Sequence, residues 1–156
     1  MRDYRVWIGL LRMVVGGVWL FEAYPQVTSS NAYLSSGFAV AVQSMALGNP
    51  WRFYRQFLDN VVLTHVAVFS YLTLVGNVLV GLCLLLGLLT PYSAIIALIL
   101  NINYGLADGW MERMAYPLNG LLIVCEVIVI ALAAGKVAGI DTIFGSGPEK
   151  RRGRRY

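Results

Sequence analysis

Arg12 and Glu126 are the ionisable residues set deepest in apolar sequence, one inside VWIGLLRMVVGGVWLFEAY and the other inside YPLNGLLIVCEVIVIALAAG. A charge at the bilayer centre costs about 3 kcal/mol on insertion scales, so one that is retained serves either chemistry or helix packing. Both roles are open for these two residues. A carboxyl such as Glu126 has two inexpensive states, keeping its proton or pairing with a cation. The depth of Glu126 suggests Arg12 as that cation. Amides accompany them. Ser70, Thr73 and Asn77 recur at i, i+3 and i+7, Asn101 and Asn103 precede Tyr104, and Asn119 lies seven residues before Glu126 on the same helical face. Such groups in membrane helices ordinarily form interhelical hydrogen bonds.

The residues that hold metals are scarce. Cys83 and Cys125 each lie alone in an apolar run, and His65 is the single histidine. No CxxC or CxxCH spacing occurs, which excludes zinc ribbons, cysteine-ligated iron–sulfur clusters and covalent haem held by this chain. A protein-bound redox centre would have to come from another subunit. No covalently bound cofactor or metal site is expected.

These residues must be positioned by elements suited to lipid. The chain is 58% hydrophobic and 13% charged, with a mean hydropathy of +0.68, against about half and a quarter in soluble domains. A 156-residue globule could not hide that excess. Four stretches approach the roughly 20 apolar residues that cross a bilayer: 6–24, 61–89, 91–107 and 116–135. Backbone groups in lipid must satisfy one another, so the expected fold is an all-α, integral membrane four-helix bundle. Arg12 and Glu22 interrupt the first run, and the small residues around Ser29, Ser30 and Ala32 make a poor cleavage site. The first helix is therefore read as retained rather than as a signal peptide.

Residues 25–60 form the one sizeable non-spanning piece. Leu34, Phe38, Val42 and Met45 recur at helical spacing until Asn49–Pro50, the pattern of an amphipathic interfacial helix between the first two spans. In NPWRFYRQF, Trp51, Phe53, Tyr54 and Phe57 mix with Arg52 and Arg55, a composition suited to the headgroup level. A membrane-surface anchor is the plainest reading. A lid over a site, or a platform for a partner, uses the same residues.

At this level of detail the chain resembles the DoxX/DoxD family. LLRMVVGGVWLFEAY resembles its opening helix, and NPWRFYRQFLDNVVL followed by GNVLVGLCLLLGLLTPYSA resembles its outer segment and second helix. LNINYGLA resembles its asparagine–tyrosine helix, and GKVAGIDTIFG its closing Gly-x-Gly…Asp motif. The likeness runs to about Gly145, so residues 1–145 read as one membrane domain and 146–156 as a basic tail. It implies the small membrane subunit of a thiosulfate:quinone oxidoreductase, working with a separately encoded subunit. Arg12 and Asp141 are the matched charged positions. Asn77 stands where the family's second helix carries glutamate, and Pro25 and Gln26 stand where a lysine is often found.

A quinone is the cofactor such a subunit could hold without metal ligands. Its carbonyls need donors in an apolar slot, and Trp19, His65, Tyr71, Asn77 and Tyr104 have that chemistry. Arg52 and Arg55 could steer a sulfur oxyanion at the outer face. The competing reading is a non-catalytic accessory or assembly subunit of a larger membrane complex. A small transporter ranks last, because no helices broken by Gly or Pro occur in matching halves. The expected partners are the bilayer and other membrane or periplasmic subunits, with no nucleic acid. Five of the twelve basic residues lie in KRRGRRY, a tail suited to anionic lipid.

Arg2, Arg5 and six basic residues after the fourth span outnumber Arg52, Arg55 and Arg113 in the links. That bias predicts a multi-pass protein of the inner (plasma) membrane with both termini cytoplasmic. A cysteine placed at Gln43 should react with a membrane-impermeant maleimide added to intact cells, whereas one placed at Gly153 should react only after lysis. The reverse pattern would refute the orientation.

Overall fold

The computed structural model describes residues 3–132 together with Gly139 and Asp141; the basic tail 146–156 and the end of the fourth apolar run lie outside them. Every regular element among the described residues is helical. In chain order they are α1 (Asp3–Thr28), the short α2 (Ser30–Ala32), α3 (Phe38–Ala46), α4 (Arg52–Phe57), α5 (Val66–Leu86), α6 (Thr90–Ala107) and α7 (Ala115–Ala131). Val6–Thr28, Arg52–Leu86 and Thr90–Ala107 are long and apolar enough to cross a membrane, and α7 is a shorter apolar helix of 17 residues. At 1.5 Å per residue α7 covers about 25 Å of the roughly 30 Å hydrocarbon core. The chain is an all-α, multi-pass membrane bundle.

The long helices pack in a ring, α1 on α5, α5 on α6, α6 on α7 and α7 back on α1. Val15, Trp19, Val80, Leu84, Ala94, Ala97 and Val129 fill the centre. The closest approach is α1 to α5. A Cβ added at Gly16 would stand 2.5 Å from the Leu85 nitrogen and 2.9 Å from the Gly81 carbonyl oxygen, and one added at Gly81 would meet the Leu20 side chain at 2.7 Å. Without a hydrophobic drive between helices in lipid, such small-residue contacts let backbones pack closely enough to hold.

The α5–α6 hairpin is as tight as Thr90–Pro91 suggests. Gly87, in the left-handed region at φ 68°, ends α5, with the Gly87 N–H bonded to the Leu84 carbonyl at 3.3 Å and Leu88 N–H to that of Cys83 at 2.8 Å. That is the Schellman arrangement, in which glycine avoids the Cβ clash. Pro91 sits in the first turn of α6, where no amide partner is lost.

At the opposite end, residues 30–65 fold over the bundle as a cap. The amphipathic helix foreseen before Asn49–Pro50 is α3, and its apolar face is turned into protein. Phe38, Val42 and Ala46 pack with Tyr54, Leu58, Val62 and Ala107. Asn49, read from sequence only as a helix terminator, is a clamp: its amide nitrogen donates to the Leu106 and Ala107 carbonyls at 2.9 and 3.2 Å. Those are the orphaned acceptors at the end of α6. Two π-helical turns, Tyr33–Gly37 and Leu58–Val62, flank α3 and α4.

Gly16 and its neighbour Gly17 make a sharp test. Nothing lies within 4 Å of a Cβ added at Gly17. Gly16→Val should destabilise the chain by about 1–3 kcal/mol, because backbone rather than a movable side chain is struck. Gly17→Ala should be neutral or slightly stabilising. Thermal unfolding in mild detergent reads both, and equal effects would contradict the close crossing.

Candidate functional site

Beneath the cap the helices enclose a cavity of about 660 Å³, lined by apolar and aromatic side chains from all four long helices and from residues 33–62 of the cap. Trp19 and Tyr104 form part of its wall, their ring centroids 6.1 Å apart. An open depression of about 460 Å³ lies on the outside of the cap, bordered by Val40, Leu47, Arg55 and Asp59. It lacks a deep polar group, and its Arg55 pairs with Asp59 at 3.7 Å.

Glu126 is completely buried, and Arg12 is not its partner. Trp19 Nε1 donates to Oε1 at 3.1 Å, and Asn101 Nδ2 lies 3.4 Å from each carboxyl oxygen. The pairing inferred from depth fails because of direction. Side chains on a helix lean towards its N-terminus, and α1 and α7 are antiparallel. Arg12 therefore leans towards the α5–α6 turn, while Glu126 leans towards the cap, where Trp19 and Asn101 meet it.

A second polar chain borders the cavity. Tyr104 Oη donates to Asn77 Oδ1 at 2.9 Å, and Asn77 Nδ2 donates to Gln26 Oε1 at 3.2 Å. With all hydrogens running one way, the Gln26 amide nitrogen is the terminal donor. Reversing both amides reverses the chain and frees the Tyr104 hydroxyl hydrogen instead. The arrangement can thus offer a donor at either end. Asn119 lies on the same cavity wall, and its backbone carbonyl accepts from Asn101 Nδ2 at 3.4 Å. Gln26 is not among the site candidates read from sequence, where the first apolar run closes at residue 24. Instead α1 runs through Pro25 to Thr28, so Trp19, Glu22 and Gln26 share one face at i, i+3 and i+7 spacing.

The rim is acidic, a feature that sequence reasoning also missed. Glu22, Asp108 and Glu112 line the cavity, and no Lys, Arg or His does. Burial raises the Asp108 carboxyl above its ordinary value, and the neighbouring Glu22 and Glu112 push the same way. Asp108 and Glu112 share the α6–α7 turn, but Glu22 comes from α1, so spacing along the chain could not have joined all three.

The far end of the bundle holds two further charged residues, Arg12 and Asp141. Asp141 Oδ1 and Oδ2 accept from the Leu89 and Thr90 amides at 2.7 and 2.9 Å, and the Asp141 N–H donates to the Gly87 carbonyl at 2.9 Å. Asp141 thereby caps α6 from outside and holds Leu89 in its left-handed conformation, φ 48°. The buried Arg12 guanidinium lies where a Cβ on Gly87 would point. Burial raises the Asp141 carboxyl, yet the Thr90 and Leu89 hydrogen bonds and the charge of Arg12 outweigh it and hold the carboxyl below its ordinary value.

The structure thus gathers Trp19, Asn77, Asn101, Asn119 and Tyr104 around the cavity, with Glu126 behind two of them. It leaves His65 and Tyr71 outside. His65 is exposed, its Nδ1 3.0 Å from the Val61 carbonyl oxygen, and Tyr71 is 57% exposed on the outer face of α5. Arg52 and Arg55 are exposed on α4. Among the described residues no group of three His, Cys, Asp or Glu could hold a metal.

Residues 7–150 match the family model described as "TQO small subunit DoxD". The chain belongs to the DoxD family. No curated protein and no solved structure matches it. In this DoxD protein Arg12 and Asp141 lie at the α5–α6 turn and not at the cavity. Family membership makes the chain a small membrane subunit of a TQO-like complex.

Because the native Asp141 value lies below that of an unfolded aspartate, its contribution is complete above the unfolded value and is lost as pH falls through the native one. The stability difference between wild type and Asp141→Asn should therefore stay constant above about pH 5. It should shrink as pH drops through about 3.9 towards the native value. Unfolding in detergent across pH checks this, and a difference that grows on acidification would refute it.

Proposed function

We propose that the cavity under the cap is the quinone site of a thiosulfate:quinone oxidoreductase, with electrons delivered by a partner subunit that oxidises the sulfur compound. The observation that supports this is the union of a mostly apolar slot with two short polar chains at its wall. Its volume falls in the range of about 300–1,000 Å³ typical of small-molecule sites. A flat ring fits against Trp19 and Tyr104, and each quinone carbonyl needs one donor. The Gln26–Asn77–Tyr104 chain can supply one from either end, and the Asn119 amide is a further donor on the wall. Trp19 and Asn101, tied to Glu126, are held in place and so pre-organised.

The remaining polar residues take other parts. Arg52 and Arg55 sit on the exposed cap, away from the cavity, so any steering of a sulfur oxyanion would occur at the partner-facing surface. His65 and Tyr71 have no role in this site. The chain contributes binding and orientation of the quinone, and the partner contributes the redox centre.

A tail-less quinone analogue should bind the full-length chain in lipid nanodiscs by isothermal titration. Tyr104→Phe and Gln26→Leu should each weaken binding by about fivefold, the value of one hydrogen bond of roughly 1 kcal/mol. In the intact complex the same variants should slow thiosulfate-dependent quinone reduction in parallel. If wild type binds no analogue while the chain still co-purifies with a larger complex, the accessory-subunit reading replaces this one.

A further inference from the structure

The cavity has a side opening, and its lining shows where. Among its lining residues, those that are exposed are Val14, Glu22, Glu112, Leu118 and Leu121. All lie on α1, on α7 or on the turn leading into α7. The residues contributed by α5, α6 and the cap are buried or half-buried. Val14, Leu118 and Leu121 are 62%, 54% and 61% exposed, too much for a wall facing only its own interior. The opening is thus a slit between α1 and α7. Behind it the Trp19–Glu126 hydrogen bond ties the two helices together.

The slit is graded along its length. Glu22 and Glu112 stand at its cap end, with half-buried Asp108 beside them. Val14, Leu118 and Leu121 continue it to the depth of the hydrocarbon, about 20 Å from the cap end of α1 at Val14. Three carboxyl groups without a cation repel an anion, and the field is strong where the wall is apolar. The apolar part faces acyl chains, which a water-soluble ligand does not visit.

From these observations we infer that the cavity is loaded sideways from the bilayer, through the α1–α7 slit, by a neutral headgroup whose hydrocarbon tail remains between Val14 and Leu121. This reading rests on the quinone assignment of the cavity and deepens it. The ligand is a tailed, uncharged, lipid-dissolved molecule, and the sulfur oxyanion never enters this chain. A water-soluble anion would need a basic mouth, and the charges here have the opposite sign.

The test uses the full-length chain in lipid nanodiscs, with the subunits that co-purify with it, and a quinone carrying a photoreactive diazirine at the end of a decyl tail. Cross-linked peptides should map to residues 11–18 of α1 and 118–125 of α7. Thiosulfate in excess should not displace the label, whereas the unlabelled tailed quinone should. The double variant Val14→Trp/Leu121→Trp, which fills the slit, should cut labelling by at least about tenfold.

Labelling on the lipid faces of α5 and α6, with the tail-less analogue bound, would overturn the slit and leave the cavity assignment standing. Absence of binding by either analogue would overturn both. A diazirine-bearing phosphatidylcholine that labels the slit and is not displaced by quinone would make it a lipid groove and overturn the proposal. So would labelling of the isolated chain that vanishes in the complex, because a partner helix would then occupy the slit. Mapping on the wild-type chain decides the matter even where the double variant fails to fold.

Discussion

A polar group inside a membrane bundle has no water to turn to, and each one here must find its partner within the protein. Helix direction decides which partner it finds. Side chains lean towards the N-terminus of their own helix, so antiparallel neighbours send equally deep residues opposite ways. Arg12 on α1 goes to the α5–α6 turn, where Asp141 already holds the Leu89 and Thr90 amides. Glu126 on α7 goes to Trp19 and Asn101. Opposite charges that could have neutralised one another are separated into a structural latch at one end and a neutral-donor cluster beside a cavity at the other.

The cap converts that separation into a site. Four helices meeting at Gly16, Gly81 and the central aliphatic residues would leave the other end of the bundle gaping. Instead α3 lays Phe38 and Val42 over it, and Asn49 takes up the last carbonyls of α6. Tyr54 adds a hydrogen bond from its hydroxyl to the Asn103 carbonyl at 3.2 Å. The two π-helical turns that flank α3 and α4 contribute Tyr33, Leu58 and Val62 to the cavity wall. Such turns commonly accompany functional sites.

The proposed function rests on where polarity remains around the cavity. Amide and hydroxyl donors line the wall, carboxyls line the rim, and apolar side chains border the opening towards lipid. An uncharged ring with a tail satisfies all three conditions. An oxyanion could use the donors, but the acidic rim and the lipid-facing opening both disfavour it, which supports the proposed quinone role of the cavity.

The apolar runs, their lengths and the Thr90–Pro91 break were legible in the chain, because lipid imposes composition and length directly on each helix. So were the DoxD resemblance and the identity of Arg12, Asn77, Asn101, Tyr104 and Glu126 as polar groups needing an account. Local pattern reached as far as the amphipathic period of Phe38, Val42 and Met45. It did not show whether that face meets lipid or protein, since both are equally apolar surroundings. Nor could it show the Gln26–Asn77–Tyr104 chain, the acidic rim or the true neighbours of Arg12. Each joins residues from distant parts of the chain through side-chain direction and packing, which exist only once antiparallel helices have been set side by side.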